Sequence, residues 1–380
     1  MSGKHSLLSP SASERWLNCP PSARLTEDIV EEESIYAEEG TEAHALCEFK
    51  VNSLLGLKTQ NPRLGMKFFD AEMEDSSDDY AAYIEEVINT GACSFIQTEM
   101  SLDISSHIPD CRGTGDCVAI VDKTLHIIDF KYGKGIEVSA EHNTQLMIYA
   151  LGALDLLDEF YEIEDVSLSI FQPRISNIAT WNIKKSELLS WGENELKPKA
   201  ELAFNGNGEQ SSGPWCRFCK LKLNCRKRTE DNLALAKFDF KKPATLQDEE
   251  LSEVLNSAEE LSSWCDDIKE YATSLLLSGG SIEGFKLVEG RSIRKYSDEE
   301  SVAKVVEDAG YNPYEQKVLG ITAMTGLLGK KRFNELLSSF IVKPQGKPTL
   351  AKESDKRSAI NINDFNDNKE KSNVKEFSAN

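Results

Sequence analysis

The stretch from Gly113 to Lys131, GTGDCVAIVDKTLHIIDFK, constrains the fold of this chain more than any other. Two runs rich in β-branched residues flank Asp122–Lys123, which predicts two strands joined by a tight turn. Asp129 and Lys131 are two residues apart, so on a strand they point to one face. Pairing the hairpin about its turn brings Asp116 toward that face. Two carboxylates and an ammonium converging on one sheet surface are costly unless something binds there, and a divalent cation is the simplest remedy.

The chain of 380 residues is long enough for two domains and a sizeable core. It has no apolar run of the roughly 18 residues a membrane span needs. Its start, MSGKHSLLSPSASERW, lacks the apolar centre of a signal peptide, so a cytoplasmic location is expected. In that compartment most of the nine cysteines are expected to be thiols, and a few to be metal ligands. A net charge of −21 speaks against a nucleic-acid partner, because phosphate binding uses a basic surface. That charge is an average. Acidic residues crowd into Glu27–Glu86, whereas Cys216–Arg228 carries six Lys/Arg and no acid.

In chain order, Ser9–Cys19 reads as a short helix with a capping box at Ser11 and Glu14, ended by Pro20 and Pro21. A second helix is expected over Glu38–Leu55, with His44, Cys47, Glu48 and Val51 on one face. Residues 56–76 read as a loop and Tyr80–Thr90 as a helix. Phe95–Asp103 reads as a strand carrying Glu99. The hairpin follows, then a helix over Glu141–Leu157 with Gln145 and Tyr149 four apart. Asp165–Gln172 and Ile178–Ile183 are expected strands, Ser186–Ala203 a helical stretch and Gly206–Gly213 a connector. Beyond residue 235 the pattern predicts amphipathic helix over Leu246–Leu277, a short hairpin at Gly284–Tyr296 and helices at Glu299–Ala309 and Lys330–Ile341. From Lys343 onward the sequence is polar and reads as an extended tail. The expected division is 1–235, 236–342 and 343–380.

The chemistry implied by the hairpin is that of a metal-dependent phosphodiesterase. Asp116 and Asp129 would hold Mg²⁺ or Mn²⁺, with the Phe130 carbonyl and waters completing the shell. Lys131 would stand beside the attacking water or the scissile phosphate. His44 would add a nitrogen ligand, which suits Mn²⁺, and Glu99 is a further candidate ligand on the neighbouring strand. An Asp-x-Lys triplet alone is common by chance, and a lone helical His is usually a core residue. The ordered set carries the weight: His44 on a helix, Gly113-x-x-Asp116 on a strand, Asp129-x-Lys131 on the next and Gln145-x-x-x-Tyr149 on the helix after.

That order resembles the RecB-like branch of the PD-(D/E)XK nuclease superfamily, over roughly residues 9–230. The resemblance implies an α/β fold, with a mixed central sheet flanked by helices and a mainly helical C-terminal extension. It implies that His44, Asp116 and Asp129 are metal ligands, that Lys131 is the catalytic lysine, and that Gln145 and Tyr149 contact DNA or hold the lysine. Asp129 stands where many members have Glu, which keeps the carboxylate.

Cys216-x2-Cys219-x5-Cys225 is a second chemical stretch. Basic residues between the cysteines make it a poor core, so a metal or cluster site is expected, with Cys19 as the fourth ligand. Zinc and [4Fe-4S] both fit four thiolates by spacing. The arrangement resembles the iron–sulfur nucleases, AddB-type helicase–nucleases and CRISPR adaptation exonucleases, and this favours a structural [4Fe-4S] cluster tying residue 19 to 216–225. Arg217, Lys220, Lys222, Arg226, Lys227 and Arg228 are candidates for gripping a DNA backbone, and Arg291, Arg294, Lys295, Lys347 and Arg357 are further basic candidates. Cys47, Cys93, Cys111, Cys117 and Cys265 read as ordinary thiols. The segments LSPSASERWLNCPPSARL, GFKLVEGRSIRKY and KPQGKPTLAKESDKRSAI resemble a phage and prophage family of RecB-like exonucleases, which implies DNA with a free end as substrate and a single-strand-binding or annealing protein as partner in the host cytoplasm. The rival expectations are a nuclease fold that has lost activity and serves as a DNA-processing scaffold, and a zinc-stapled structural protein. Oligomeric state is left open.

Overall fold

The fold is taken from a computed structural model, which describes residues 6–29, 34–234, 247–288, 298–308, 312–314, 324 and 327–341. The chain divides into two units, Met1–Val288 and Glu289–Asn380.

The first unit is built on a five-stranded mixed sheet in the order β1-β2-β3-β4-β5, with β1 at Cys93–Asp103, β2 at Arg112–Val121, β3 at Thr124–Phe130, β4 at Asp165–Gln172 and β5 at Asn177–Lys184. All neighbours are antiparallel except β3 and β4. That parallel pair needs a crossover, and the helix α5, Thr144–Leu157, lies between the two strands in the chain. The β2–β3 turn falls at Asp122, whose φ of 53° is the left-handed conformation that Asp tolerates in tight turns. Its carboxylate accepts the Ala92 N–H at 3.0 Å.

Strand alternation divides the core into two layers. Val118, Ile120, Leu125, Ile127, Leu168 and Ile170 pack with α5. Cys117, Ile128, Phe130 and Phe171 face the other way, against α3, Ile35–Leu54, and α4, Ala71–Ile88. Gly152 lets α5 approach β1 closely, since a Cβ there would meet Ile104 Cγ1 at 2.8 Å. The N-terminal helices α1, Ser13–Asn18, and α2, Ser22–Leu25, add Trp16 and Ala23 to the α5 layer. After β5 come α6, Lys185–Trp191, a π turn over Gly192–Leu196, α7, Lys197–Phe204, α8, Arg226–Ala234, and the long α9, Asp248–Leu277. In the second unit the described helices are α10, Glu299–Asp308, and α11, Lys330–Leu337.

Two local expectations are corrected. The Ser11–Glu14 capping box does not form: a 3-10 turn over Pro10–Ala12 runs into α1, whose N-cap is Ala12 with no side-chain bond. The stretch 56–76 is not all loop, because α4 begins at Ala71. Asp70 caps it by accepting the Met73 N–H at 2.8 Å, and Glu72 and Glu74 sit in the first turn, where the helix dipole favours acids. The acidic run AEMEDSSDD reads as solvated loop only while its cationic partners are unseen. The hairpin expected over Gly284–Tyr296 and the tail from Lys343 lie largely or wholly outside the described residues, and 284–288 form no strand.

Those partners come from α3 and from the segment before α4. Lys50 Nζ lies 2.5 Å from Glu74 Oε1, and Arg63 grips both Glu74 oxygens at 2.8 and 2.6 Å. The Arg63 hydrogen bonds hold the Glu74 carboxyl down at about 2, against an opposing effect of burial and with further help from Lys50. The folded value lies below the ordinary 4.5, so this contribution is complete above that pH and fades as pH falls through about 2. Glu74→Gln is therefore expected to cost about 1 kcal/mol at pH 7, after discounting for solvent screening. In parallel urea titrations the gap between variant and wild type is expected to close as the pH is taken down toward 2.

Candidate metal centre

The register of the first three strands carries the site. Thr98 pairs with Cys117 and Met100 with Gly115, which sets Glu99 opposite Asp116. Cys117 pairs with Ile128, which sets Asp116 opposite Asp129. Three carboxylates thus form a row across β1, β2 and β3. Glu99 has φ of 45°, a left-handed conformation inside a strand that a residue with a long side chain rarely adopts.

His44 reaches this row from α3. Its Nδ1 is 3.3 Å from Asp116 Oδ1, and its ring meets Phe130 edge-on at 5.4 Å. The possible ligand atoms of His44, Glu99 and Asp116 all lie within 4.8 Å of one another, and among the described residues they form the only such group. The other oxygen of Asp116 accepts the Phe130 N–H at 2.7 Å, which fixes the carboxylate to β3. Burial and the Asp116 charge push the Glu99 carboxyl up to about 7. Burial pulls the His44 imidazolium down, yet Asp116, Asp129 and Glu99 together leave it above its ordinary value. An imidazole set among carboxylates in this way is a donor set able to hold a cation.

Asp129 is buried, and burial raises its carboxyl despite the opposing pull of Lys131. Lys131 Nζ stands 3.0 Å from Asp129 Oδ2 and forms an ion pair with it. Lys131 follows β3 and continues its ladder, its N–H donating to Phe171 O at 2.9 Å. Burial lowers the Lys131 ammonium pKa, but Asp129 and Asp116 outweigh it, and the lysine stays charged at neutral pH.

The first turn of α5 braces this pair. Asn143 caps the helix by accepting the Leu146 N–H at 3.2 Å. Gln145 accepts from Lys131 Nζ at 3.2 Å and donates to Asp129 Oδ1 at 3.3 Å and to Tyr149 OH at 3.1 Å. Gly113 makes room for that tyrosine: a Cβ there would come within 2.7 Å of Tyr149 Cε1 and 3.3 Å of Pro10 Cγ. Gly113→Ala is expected to cost about 1–3 kcal/mol by overpacking, read as a lower urea midpoint. Gly113→Ala combined with Tyr149→Phe is expected to be no better, because the clash is with the ring and not the hydroxyl.

All six residues expected at the hairpin centre (His44, Asp116, Asp129, Lys131, Gln145 and Tyr149) are brought together. Glu99, which sequence offers only as a further candidate ligand, groups with His44 and Asp116. The signal that finds it is strand register, which needs the β1–β2 pairing. Gly113 and Asn143, which support the site, are visible only once Tyr149 and the start of α5 are placed.

The four cysteines Cys19, Cys216, Cys219 and Cys225 line one pocket with Arg15, Lys222 and Arg228. Cys19 is the C-cap of α1, and Cys216 lies in a 3-10 turn, Pro214–Phe218. Burial raises the Cys219 thiol while the Leu221 N–H and Arg15 pull it back, and the Cys225 and Cys19 charges also reach it. The Arg228 N–H points to Cys225 Sγ at 3.5 Å. Of the other cysteines, Cys47, Cys111 and Cys117 are buried, and Cys93 and Cys265 are exposed.

Several of the basic residues offered as a DNA grip have partners within the chain. Arg228 is fully buried, paired with Glu260 and Asp267, and Lys222 pairs with Asp267 at 2.8 Å. Lys227 and Arg226 pair within α8 with Asp231 and Glu230, and Lys220 donates to Ile29 O at 2.9 Å. Arg228 and Lys222 are thus held by internal partners, whereas Arg226 stays exposed. Arg291, Arg294, Lys295, Lys347 and Arg357 lie outside the described residues.

A family model described as "Protein of unknown function (DUF2800)" matches residues 5–358. The chain belongs to this family. The match spans both the strand row and the cysteine pocket, so the two sites lie in one family unit. A solved structure described as "Crystal structure of SSO0001" is similar at 18% identity, over 57% of this chain and 96% of that chain, with a TM-score of 0.24. A superposition that loose carries no argument. Among the described residues no helix is long and apolar enough to cross a membrane.

Proposed function

We propose that this chain is a Mg²⁺- or Mn²⁺-dependent deoxyribonuclease with a PD-(D/E)XK-type core, acting on DNA from an end. The observation that carries the reading is the row Glu99–Asp116–Asp129 with His44 beside it and the charged Lys131 next to it. The donor set fits a hard or borderline divalent cation: the carboxylates of Glu99 and Asp116 and the His44 imidazole lie together, and Asp129 is next in the row. His44, Glu99, Asp116 and Asp129 would hold the ion, and the imidazole favours Mn²⁺. When bound, the ion would supply charge stabilisation at the scissile phosphate and a more acidic water.

The residues of the chain do the rest. Asp116 is pinned by the Phe130 N–H and cannot swing from the row. Lys131 presents an ammonium to the phosphate, and its charged state suits stabilisation of developing negative charge rather than removal of a proton. Gln145 fixes the lysine against Asp129, and Tyr149 fixes Gln145.

We also propose that Cys19, Cys216, Cys219 and Cys225 hold a structural [4Fe-4S] cluster. Four thiolates in one pocket and a buried Arg228 Nη2 with no partner fit a thiolate-ligated group of net negative charge. Zinc and [4Fe-4S] both fit four thiolates, and the resemblance to the iron–sulfur nucleases favours the cluster.

The net charge of −21 and the internal pairing of the basic loop favour a second reading, an inactive nuclease fold serving as a DNA-processing scaffold. Incubation of end-labelled linear DNA and closed circular DNA with the purified protein and Mn²⁺ separates the two. Loss of the end label with the circle left intact is the expected result. Both DNAs surviving at saturating Mn²⁺ would contradict the nuclease. The proposed setting is phage DNA replication or recombination in a bacterial cytoplasm, beside a single-strand-binding or annealing protein.

A further inference from the structure

We infer that Arg228 couples the group held by the four cysteines to α9, so that filling the cysteine pocket fixes that helix in place. This rests on the reading of the cysteines as ligands, whether of a cluster or of zinc.

The observations meet on one side chain. Arg228 is 0% exposed, although an arginine is almost never fully buried unless its donors are met. Its Nε pairs with Glu260, and its Nη1 donates to Asp267 at 2.5 Å and to Lys222 O at 3.3 Å. Glu260 and Asp267 both lie on α9, two turns apart, so the guanidinium spans that face of the helix. Its Nη2 is buried with no protein partner. Arg228 also lines the cysteine pocket, and its charge reaches the Cys216 thiol. Its own N–H points to Cys225 Sγ.

A guanidinium left with one unpaired, buried donor bears the desolvation cost of that donor. Four thiolates around Zn²⁺, or around a four-iron core of charge 2+, make a group of net charge −2. Sulfur of such a group, in the pocket that Arg228 lines, would be an acceptor for the unpartnered Nη2. With the pocket filled, the same planar fork bridges that anion and two carboxylates of α9. With it empty, a half-satisfied cation is left beside the helix, and the bridge weakens. Lys222 reinforces the design, since its backbone carbonyl binds Arg228 and its ammonium binds Asp267.

The test uses the full chain, purified anaerobically, with iron, sulfide and zinc counted first. Hydrogen exchange is then followed over Asp248–Leu277 in the loaded protein and after removal of the metal by chelator. Exchange around Glu260–Asp267 is expected to speed up at least about tenfold on removal. Arg228→Met, still loaded, is expected to exchange as fast as the stripped wild type, and Arg228→Lys to restore only part of the protection. A visible spectrum altered in Arg228→Met at unchanged iron content is the signature that mere packing would not give. If Arg228→Met does not accumulate as folded protein, Asp267→Asn breaks the α9 end of the link and carries the same expectation. Equal exchange in loaded and stripped wild type overturns the coupling alone. Absence of both iron and zinc overturns the cysteine reading and the coupling with it.

Discussion

Lys131→Ala is expected to lower Mn²⁺-dependent DNA cleavage by at least about 10²-fold while the protein still binds Mn²⁺. The lysine is not among the atoms that group as ligands; it stands beside them, 3.0 Å from Asp129. Its ammonium is held charged by Asp129 and Asp116, so its removal takes away a cation at the place where negative charge would grow. Its backbone pairing to Phe171 survives the substitution, so the strand ladder is expected to hold, at some cost in stability from the unpaired Asp129. Asp129 loses its ion-pair partner and gains dependence on the metal, so thermal stability of the variant is expected to respond more strongly to Mn²⁺ than that of wild type. Cleavage time courses beside calorimetric Mn²⁺ titrations check both halves. Undiminished cleavage by Lys131→Ala would remove the lysine from the mechanism.

Asp116→Asn is expected to abolish cleavage and weaken Mn²⁺ binding by a factor on the order of 10 to 100 or more. Asp116 is central to the row, opposite Glu99 on one side and Asp129 on the other, and within ion-pair distance of His44. Asn keeps an oxygen that accepts the Phe130 N–H, so the strand register is expected to hold. What is lost is the charge. Glu99, raised by burial and then by Asp116, is expected to ionise more readily in the variant, which titration followed by carboxylate NMR would detect as a lower pKa. A variant that binds Mn²⁺ as tightly as wild type would place the ion elsewhere.

Much of this site is legible in the sequence because its parts are local. The two-residue spacing of Asp129 and Lys131 fixes a common face once a strand is granted, and the Asp122 turn fixes which residue comes opposite. Gln145 and Tyr149 are one helical turn apart, and both reach the strand pair. The β4 bounds follow from an apolar run and its breaks. What sequence leaves obscure is what depends on partners far along the chain. Glu99 gains its meaning from the register with β2 and from a backbone conformation no pattern announces. The start of α4 depends on Lys50 and Arg63 neutralising its acids. Arg228 looks like one more exposed charge in a basic loop until Glu260 and Asp267, over thirty residues on, are seen to bury it. Charge counting along the chain cannot separate a cation waiting for phosphate from one already paired.

The most direct measurement is diffraction from crystals grown with Mn²⁺, collected at the manganese absorption edge, which locates the ion by its anomalous signal. The account predicts a peak bounded by His44, Glu99 and Asp116, within reach of Asp129 and beside Lys131. A protein that cleaves DNA yet shows its manganese away from that row, or shows none there at saturating Mn²⁺, would contradict it.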